Sequence, residues 1–222
     1  MTIQQNVRDL QRRIAGACER VGRSPDEVTL VAVTKAIEVP AIEAAFNAGI
    51  RNFGENRVQE AKPKIEQLEG LRADLTWHMV GHLQTNKAKT AVDFFDIIHS
   101  VDSLRLAEAL SRRSQKRLPV LIEVNVAAEA TKSGFTLPEV DEAVKRIGRL
   151  PNLEIEGLMT IAPWVSDAEE VRPVFRRLRQ LGDALGLRHL SMGMTDDFEV
   201  AIEEGATLVR IGRAIFGERR RA

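Results

Sequence analysis

Apolar residues at Ile3, Val7, Leu10, Ile14, Ala17 and Val21 recur at intervals of three and four, with arginines and glutamines between them. That period predicts an amphipathic helix over 3–21, stopped at Gly22. Ser24-Pro25-Asp26-Glu27 is turn chemistry, and after it the pattern changes. Leu30, Val31, Ala32 and Val33 form a continuous aliphatic run ending at Thr34 and Lys35, which reads as a strand over 28–34 buried on both faces, as in a parallel sheet.

From there helical periods and apolar runs alternate to the end of the chain. Helix is predicted over 39–48, closed by Gly49, and strand over 50–53; then helix 57–68 and strand 75–80; then helix 83–92 and strand 97–99. Ser100 is read as the cap of a helix over 102–115, followed by a clear strand over 119–126 and a polar loop over 127–134. A helix over 137–150 carries Pro138 in its first turn, where a missing amide hydrogen does no harm. Strand 155–160, helix 168–185, strand 188–191, helix 198–204, strand 207–211 and a turn over 212–216 complete the series.

Eight strands alternate with helices, and no two strands lie close enough in sequence to pair as a hairpin, so the sheet is parallel with crossover helices. The expectation is an α/β fold, a (β/α)8 TIM-type barrel in one domain over 1–222, with an extra N-terminal helix within 1–22 packed on it. A doubly wound dinucleotide fold would place a glycine-rich turn after an early strand. The turn after the first strand is Lys35-Ala36-Ile37-Glu38 instead.

Charge and composition narrow the partners. Lys plus Arg equals Asp plus Glu at 32 each, so there is no basic field to concentrate nucleic acid or an anionic membrane, and neither is expected as a partner. Arg219-Arg220-Arg221 reads as a solvated end. The lone cysteine, Cys18, sits on the apolar helical face as a small filler, which fits a reducing compartment. The first twenty residues hold no continuous apolar run, so neither a signal peptide nor a membrane span is expected, and the location expected is cytoplasmic.

In a barrel, chemistry gathers at the C-terminal ends of the strands. Those positions hold Lys35; Asn56; His82, Gln84 and Asn86; Asn125, Lys132 and Ser133; Thr160; the stretch 191–196; and Arg210 with Gly212. Paired carboxylates are scarce there, which disfavours glycosidase chemistry, and the four histidines lie on or beside separate strands, so no metal site is expected. A lysine closing a buried strand is unusual: it is either a surface residue just past the strand or an amine held at the barrel mouth. The small-residue loops after strands seven and eight fall where barrels commonly bind phosphate, although Thr195 as a helix cap and glycines as turn formers would explain each loop alone. An amine on strand one beside a phosphate site on strands seven and eight suggests a phosphorylated aldehyde, with pyridoxal 5′-phosphate as the natural candidate. Arg210 is the candidate partner of either the ring nitrogen or the phosphate, and no Asp or Glu offers itself beside the nitrogen.

The residues that carry these features resemble a known family. They are 31–35 (Val-Ala-Val-Thr-Lys), Asn52-Phe53-Gly54-Glu55-Asn56-Arg57-Val58-Gln59-Glu60, Trp77-His78 with Gly81-His82-Leu83-Gln84, and Lys132-Ser133-Gly134. Gly157-Leu158-Met159, Ser191-Met192-Gly193-Met194 with Asp196-Asp197, and Val209-Arg210-Ile211-Gly212 with Ala214-Ile215-Phe216-Gly217 continue the match nearly end to end. Together they resemble the pyridoxal phosphate homeostasis protein family, whose barrel is like the N-terminal domain of alanine racemase. The resemblance implies pyridoxal phosphate held as an internal aldimine on Lys35, phosphate contacts from Ser191, Gly193, Thr195 and Gly212, and Asn56 and Arg210 near the cofactor. Two departures from the family pattern are Thr195 in place of serine, which keeps a hydroxyl, and Arg213 in place of a small hydroxyl residue, where a guanidinium offers another phosphate donor.

Alanine racemase adds a second domain carrying a tyrosine base, and this chain contains no tyrosine. The resemblance therefore implies a carrier or buffer of pyridoxal phosphate, with indirect effects on amino-acid and keto-acid balance, and not a two-base racemase. The alternatives are a weak racemase or lyase using Lys35 alone, and an interaction module controlling a partner protein. PLP-dependent apoenzymes are the candidate recipients, and a monomer is expected, with a weak dimer as the alternative.

Overall fold

The computed structural model describes residues 2–218; the Arg219-Arg220-Arg221 tail, read above as a solvated end, lies outside the described residues. Eight strands pair in chain order and close: β1 (Thr29–Val33), β2 (Asn52–Glu55), β3 (Thr76–Met79), β4 (Ile97–Val101), β5 (Leu118–Glu123), β6 (Leu153–Met159), β7 (His189–Ser191) and β8 (Leu208–Ile211). All neighbours are parallel, and β8 returns to β1 with Val31 beside Arg210. Around them run α2 (Val39–Asn47), α3 (Val58–Gln67), α4 (Ala88–Phe94), α5 (Leu104–Arg113), α6 (Val140–Ile147), α7 (Arg172–Leu185), α8 (Phe198–Glu203) and α9 (Arg213–Phe216). The expected (β/α)8 barrel is the fold found.

The extra helix, α1 (Ile3–Arg20), opens with a capping box at Thr2 and buries Val7, Leu10, Ile14 and Ala17 against α2, α8 and α9. Asn6 donates to the Ile215 carbonyl at 2.8 Å, and the Arg13 guanidinium lies 4.6 Å from the centre of the Phe198 ring. These contacts hold α1 across the helices that follow β7 and β8.

Side chains two apart on a strand share a face, so each strand divides between the barrel lumen and the outer layer. Val31, Val80, Ile97, Leu121, Met159 and Leu208 pack together inside the lumen, with Val33 and Ile161 above them. Ala32, Phe53, Trp77, Ile98, Ile122 and Val209 face the helices in the larger outer core. Extending the inner rows by two residues toward the C-terminal mouth brings Glu123 after Leu121, and Arg210 after Leu208.

Three local expectations are corrected. The second strand lies two residues later than 50–53, because Gly54 and Glu55 are strand residues. A side chain at Gly54 would stand 3.0 Å from Val31 Cγ1, and Glu55 is fully buried because Lys64 and Thr34 meet its carboxylate at 2.6 and 2.7 Å. Ser100 is not a cap: it lies buried in β4, where its hydroxyl donates to the Gly81 carbonyl at 2.6 Å, and Ser103 caps α5 by accepting from Leu106 N at 3.3 Å. The helices predicted over 83–92 and 137–150 each begin as a tighter 3-10 turn, at Thr85–Lys87 and Leu137–Glu139.

Candidate active site at the barrel mouth

Lys35 is placed by the residue before it. Thr34 donates its amide to the Gly54 carbonyl at 2.8 Å and its hydroxyl to Glu55, while its own carbonyl accepts from Lys64 Nζ at 2.7 Å and from Ile37 N at 2.9 Å. The last bond closes a tight turn through Lys35 and Ala36, and Ala36 takes a φ of 58°, a conformation that costs a side-chain-bearing residue about 1 kcal/mol or more. Clamp and turn together fix where the half-buried Lys35 side chain starts. Its amine meets no hydrogen-bond or ion-pair partner among the described residues, in contrast to Lys64, whose amine is committed to Glu55 and Thr34.

Lys35 lines a cavity of about 510 Å³ together with Asn56, Thr195, Arg210, Gly212 and Arg213, walled by Val33, Val80 and Ile161. Five of the seven residues expected at the site from the sequence thus share one space. The Asn56 Oδ1 atom is buried there without a partner. Thr195 is not the helix cap: Asp197 precedes α8 and its carboxylate accepts from Met194 N at 2.6 Å, which leaves the Thr195 hydroxyl beside the cavity. Arg213 pairs with the Asp196 carboxylate on the same rim.

Ser191 and Gly193 do not reach the cavity lining. Ser191 is fully buried, and its hydroxyl accepts from Arg210 Nη1 at 2.6 Å and bonds His99 Nδ1 at 2.8 Å, so it is turned beneath the cavity floor. Gly193 serves packing: at a φ of 90°, an added Cβ would lie 2.6 Å from the Ala201 Cβ and 2.9 Å from the Phe198 backbone. Its carbonyl also accepts from Arg210 N at 3.0 Å, tying the loop after β7 to β8.

Beneath Arg210 runs a buried hydrogen-bonded chain that strand-by-strand reading had no means of joining. Asn52 Oδ1 at its far end can only accept, so with both imidazoles neutral each carries its hydrogen on Nε2, and the Ser191 hydroxyl, which accepts from Arg210, donates to His99 Nδ1. His99 Nε2–H then donates to His78 Nδ1 at 2.9 Å, and His78 Nε2–H to Asn52 Oδ1 at 3.0 Å. The other Arg210 amino group donates to the Thr160 carbonyl at 2.8 Å. Burial brings the Arg210 guanidinium down to about 10, opposed by Asp197 and Glu123, so it stays charged at neutral pH with its donors aimed by the chain.

Glu123 is the acid missed in the sequence. The predicted strand 119–126 left it mid-strand, whereas β5 ends on it and turns it into the lumen mouth, 6% exposed. Burial first, and the Asp102 carboxylate second, raise it to about 7 against the pull of Arg210 and His82. It lines a neighbouring pocket with His82, Asn125, Lys132 and Ser133, while His82 and Gln84 line a groove of about 570 Å³ that shares Lys35 and Asn56.

The two buried imidazoles make stability depend on pH. Burial lowers His78 to about 4 and His99 well below 6.5, with each other's charge adding to the effect on His99. The unfolded chain takes up these protons near pH 6.5 and the folded one does not, so the contribution is complete above pH 6.5 and is lost toward pH 4 and below. Each imidazole changes stability by up to about 1.4 kcal/mol per pH unit in that window. Glu123 acts in the opposite sense, since the folded chain keeps its proton up to about pH 7. Urea unfolding of Glu123→Gln, which removes that opposing effect, is expected to lose stability steadily from about pH 6.5 to about pH 4.5; a flat profile would show that the imidazoles are charged in the folded state.

The sequence matches the family described as alanine racemase, N-terminal domain, over residues 2–220. It is 46% identical over 217 residues to the pyridoxal phosphate homeostasis protein of Aquifex aeolicus, covering 94% of each chain. Against the protein of the same name from Escherichia coli strain K12 the identity is 43% over 226 residues, covering 98% of this chain and 97% of the other. Among solved structures, PipY of Synechococcus elongatus with PLP bound superposes with a TM-score of 0.84 at 36% identity, covering 97% of this chain and all (100%) of that one.

Proposed function

The chain belongs to the pyridoxal phosphate homeostasis protein family, and on that premise we propose that it binds pyridoxal 5′-phosphate in the Lys35 cavity and holds it reversibly as a carrier in PLP homeostasis. The observation that carries this reading is the Lys35 amine, without a partner among the described residues, in one cavity with the donors Thr195, Gly212, Arg210 and Arg213. When bound, the cofactor supplies an aldehyde that condenses reversibly with a lysine amine.

The residues present fit such a group. Thr34, clamped by Glu55 and Lys64, positions the Lys35 amine. The buried Asn56 Oδ1, otherwise unpaired, accepts a hydrogen bond from a hydroxyl group. The Thr195 hydroxyl, the backbone around Gly212 and the Arg213 guanidinium receive a phosphate, a task for which Arg213 exchanges its Asp196 partner. A Cβ on Gly212 would lie 3.1 Å from the Val33 carbonyl, so glycine keeps the loop after β8 close to β1. Arg210, held from below by Ser191 and Thr160, keeps a fixed positive charge at the cavity floor.

Carrier action is supported by the relatives' names and by the lack of any tyrosine to serve as an opposing base. The same reading takes PLP-dependent apoenzymes as the recipients and the cytoplasm as the place of action; among the described residues no helix is long and apolar enough to cross a membrane. Glu123 at the mouth favours one second reading, a weak racemase or lyase. Mixing the protein with pyridoxal phosphate should produce a near-visible absorption band, and borohydride should then fix the added mass on the Lys35 peptide. A protein that stays colourless and gains no mass overturns the binding reading. Substantial turnover of an amino-acid panel, abolished in Lys35→Ala, overturns the carrier reading in favour of the enzyme.

A further inference from the structure

The loop after β7 presents one side chain that the cofactor reading leaves unused. Met194 lines the Lys35 cavity two residues past the fully buried Met192, and it is 39% exposed. Its main chain is fixed from both directions. Met194 N donates to the Asp197 carboxylate at 2.6 Å, and its carbonyl accepts from Asp197 N and Phe198 N at 3.2 and 2.9 Å, so the thioether is held at the rim beside Thr195. The other sulfurs are shut away. Met79, Met159 and Met192 are buried, and so is Cys18, whose thiol burial raises above its ordinary value. Among the described residues, which leave out Met1, Met194 is thus the one sulfur that both meets solvent and borders this cavity. A thioether has no proton to lose, so access decides whether an oxidant reaches it.

We propose that Met194 is a reversible oxidation site, and that its sulfoxide loosens the hold of the Lys35 cavity on a phosphorylated ligand. The oxidant is a peroxide. Sulfur gives an electron pair to one peroxide oxygen, the O–O bond breaks as the S–O bond forms, and a proton passes from the transferred oxygen to the departing one, which leaves as water. Sulfur is oxidised by two electrons and the peroxide is reduced by two. Two thiols reverse the change: they close a disulfide, the S–O bond breaks, and the oxygen leaves as water. The oxidised side chain replaces a soft apolar group by an oxygen that only accepts hydrogen bonds. In a cavity where Thr195 and Arg213 offer donors, that oxygen draws on them in competition with a phosphate, and the negative end of its dipole adds repulsion of the anion. Retention falls as a result. This consequence rests on the cofactor reading above, whereas the reactivity of Met194 rests on its exposure alone.

Treating the full chain, empty and loaded with pyridoxal phosphate, with dilute hydrogen peroxide and reading the masses of its methionine peptides tests the site. The Met194 peptide is expected to gain one oxygen before those of Met79, Met159 and Met192, and to gain it more slowly in the loaded chain, where the cargo covers the rim. Release is then followed as cofactor that crosses a dialysis membrane. The oxidised chain is expected to release pyridoxal phosphate about tenfold faster or more, the effect of weakening one charged hydrogen bond. A methionine sulfoxide reductase with a thiol reductant should restore the original rate, and Met194→Leu should release at one rate before and after peroxide. Buried methionines oxidised as fast as Met194, or a Met194→Leu chain whose release peroxide still speeds, overturns the proposal. A chain that binds no pyridoxal phosphate overturns the carrier reading and the control together; one that binds it, and releases it no faster once Met194 is oxidised, loses only the control.

Discussion

In Lys35→Ala, the mass that borohydride fixes on the protein in the presence of pyridoxal phosphate is expected to disappear, and with it the near-visible absorption band. The reason is the state of the amines around the mouth. Lys64 is spent on Glu55 and the Thr34 carbonyl, and Lys132 on Glu129 and the Ile161 carbonyl, so forming an imine there means breaking charge-assisted bonds first. Lys35 alone lines the 510 Å³ cavity with an amine that gives up nothing. Removing its half-buried side chain breaks no hydrogen bond, so the change in stability is expected to stay within about 0.5 kcal/mol. Mass analysis of reduced samples, with urea unfolding alongside, checks both parts. An adduct of equal yield on another lysine would move the site.

Lys64→Met is expected to cost the most stability. Glu55 is fully buried, and Lys64 is its cationic partner at 2.6 Å. Taking that partner away leaves an uncompensated buried carboxylate, a loss of about 3–5 kcal/mol in comparable buried pairs. The double variant Lys64→Met, Glu55→Gln carries no stranded charge and should recover most of the loss. The single variant should also loosen Thr34, since Lys64 holds its carbonyl as well, and so weaken cofactor retention at Lys35. Urea unfolding of both variants decides: a single variant as stable as the unsubstituted chain would mean that water enters and solvates Glu55.

The two outcomes bear on what a linear reading could reach. The strand ending at Thr34 was legible because its aliphatic run has no polar interruption, and α1 was legible because its apolar stripe keeps one period for five turns. The second strand was misplaced because Glu55 looks like a loop residue until Lys64, nine positions later, is seen to neutralise it. Ser100 looked like a cap for the same reason. A hydroxyl before a helix is ordinary cap chemistry, and only the Gly81 carbonyl of the neighbouring strand end claims it for the interior. Glu123 escaped notice because its neighbours on both sides are apolar, so the run appeared to continue past it.

The order of apolar periods by itself determined the closed parallel barrel, and with it the set of strand-end residues from which any site must be drawn, since alternating strands and helices admit few arrangements. Tertiary structure alone decided which of those residues share a space. It turned Ser191 inward to His99 and Arg210, packed Gly193 against α8, left the Lys35 amine without a partner among the described residues and set Glu123 across the mouth. Periodicity is a property of neighbours along the chain. Whether a lysine, a serine or a glutamate is spent or available depends on charges and hydrogen-bond partners that folding brings from other strands.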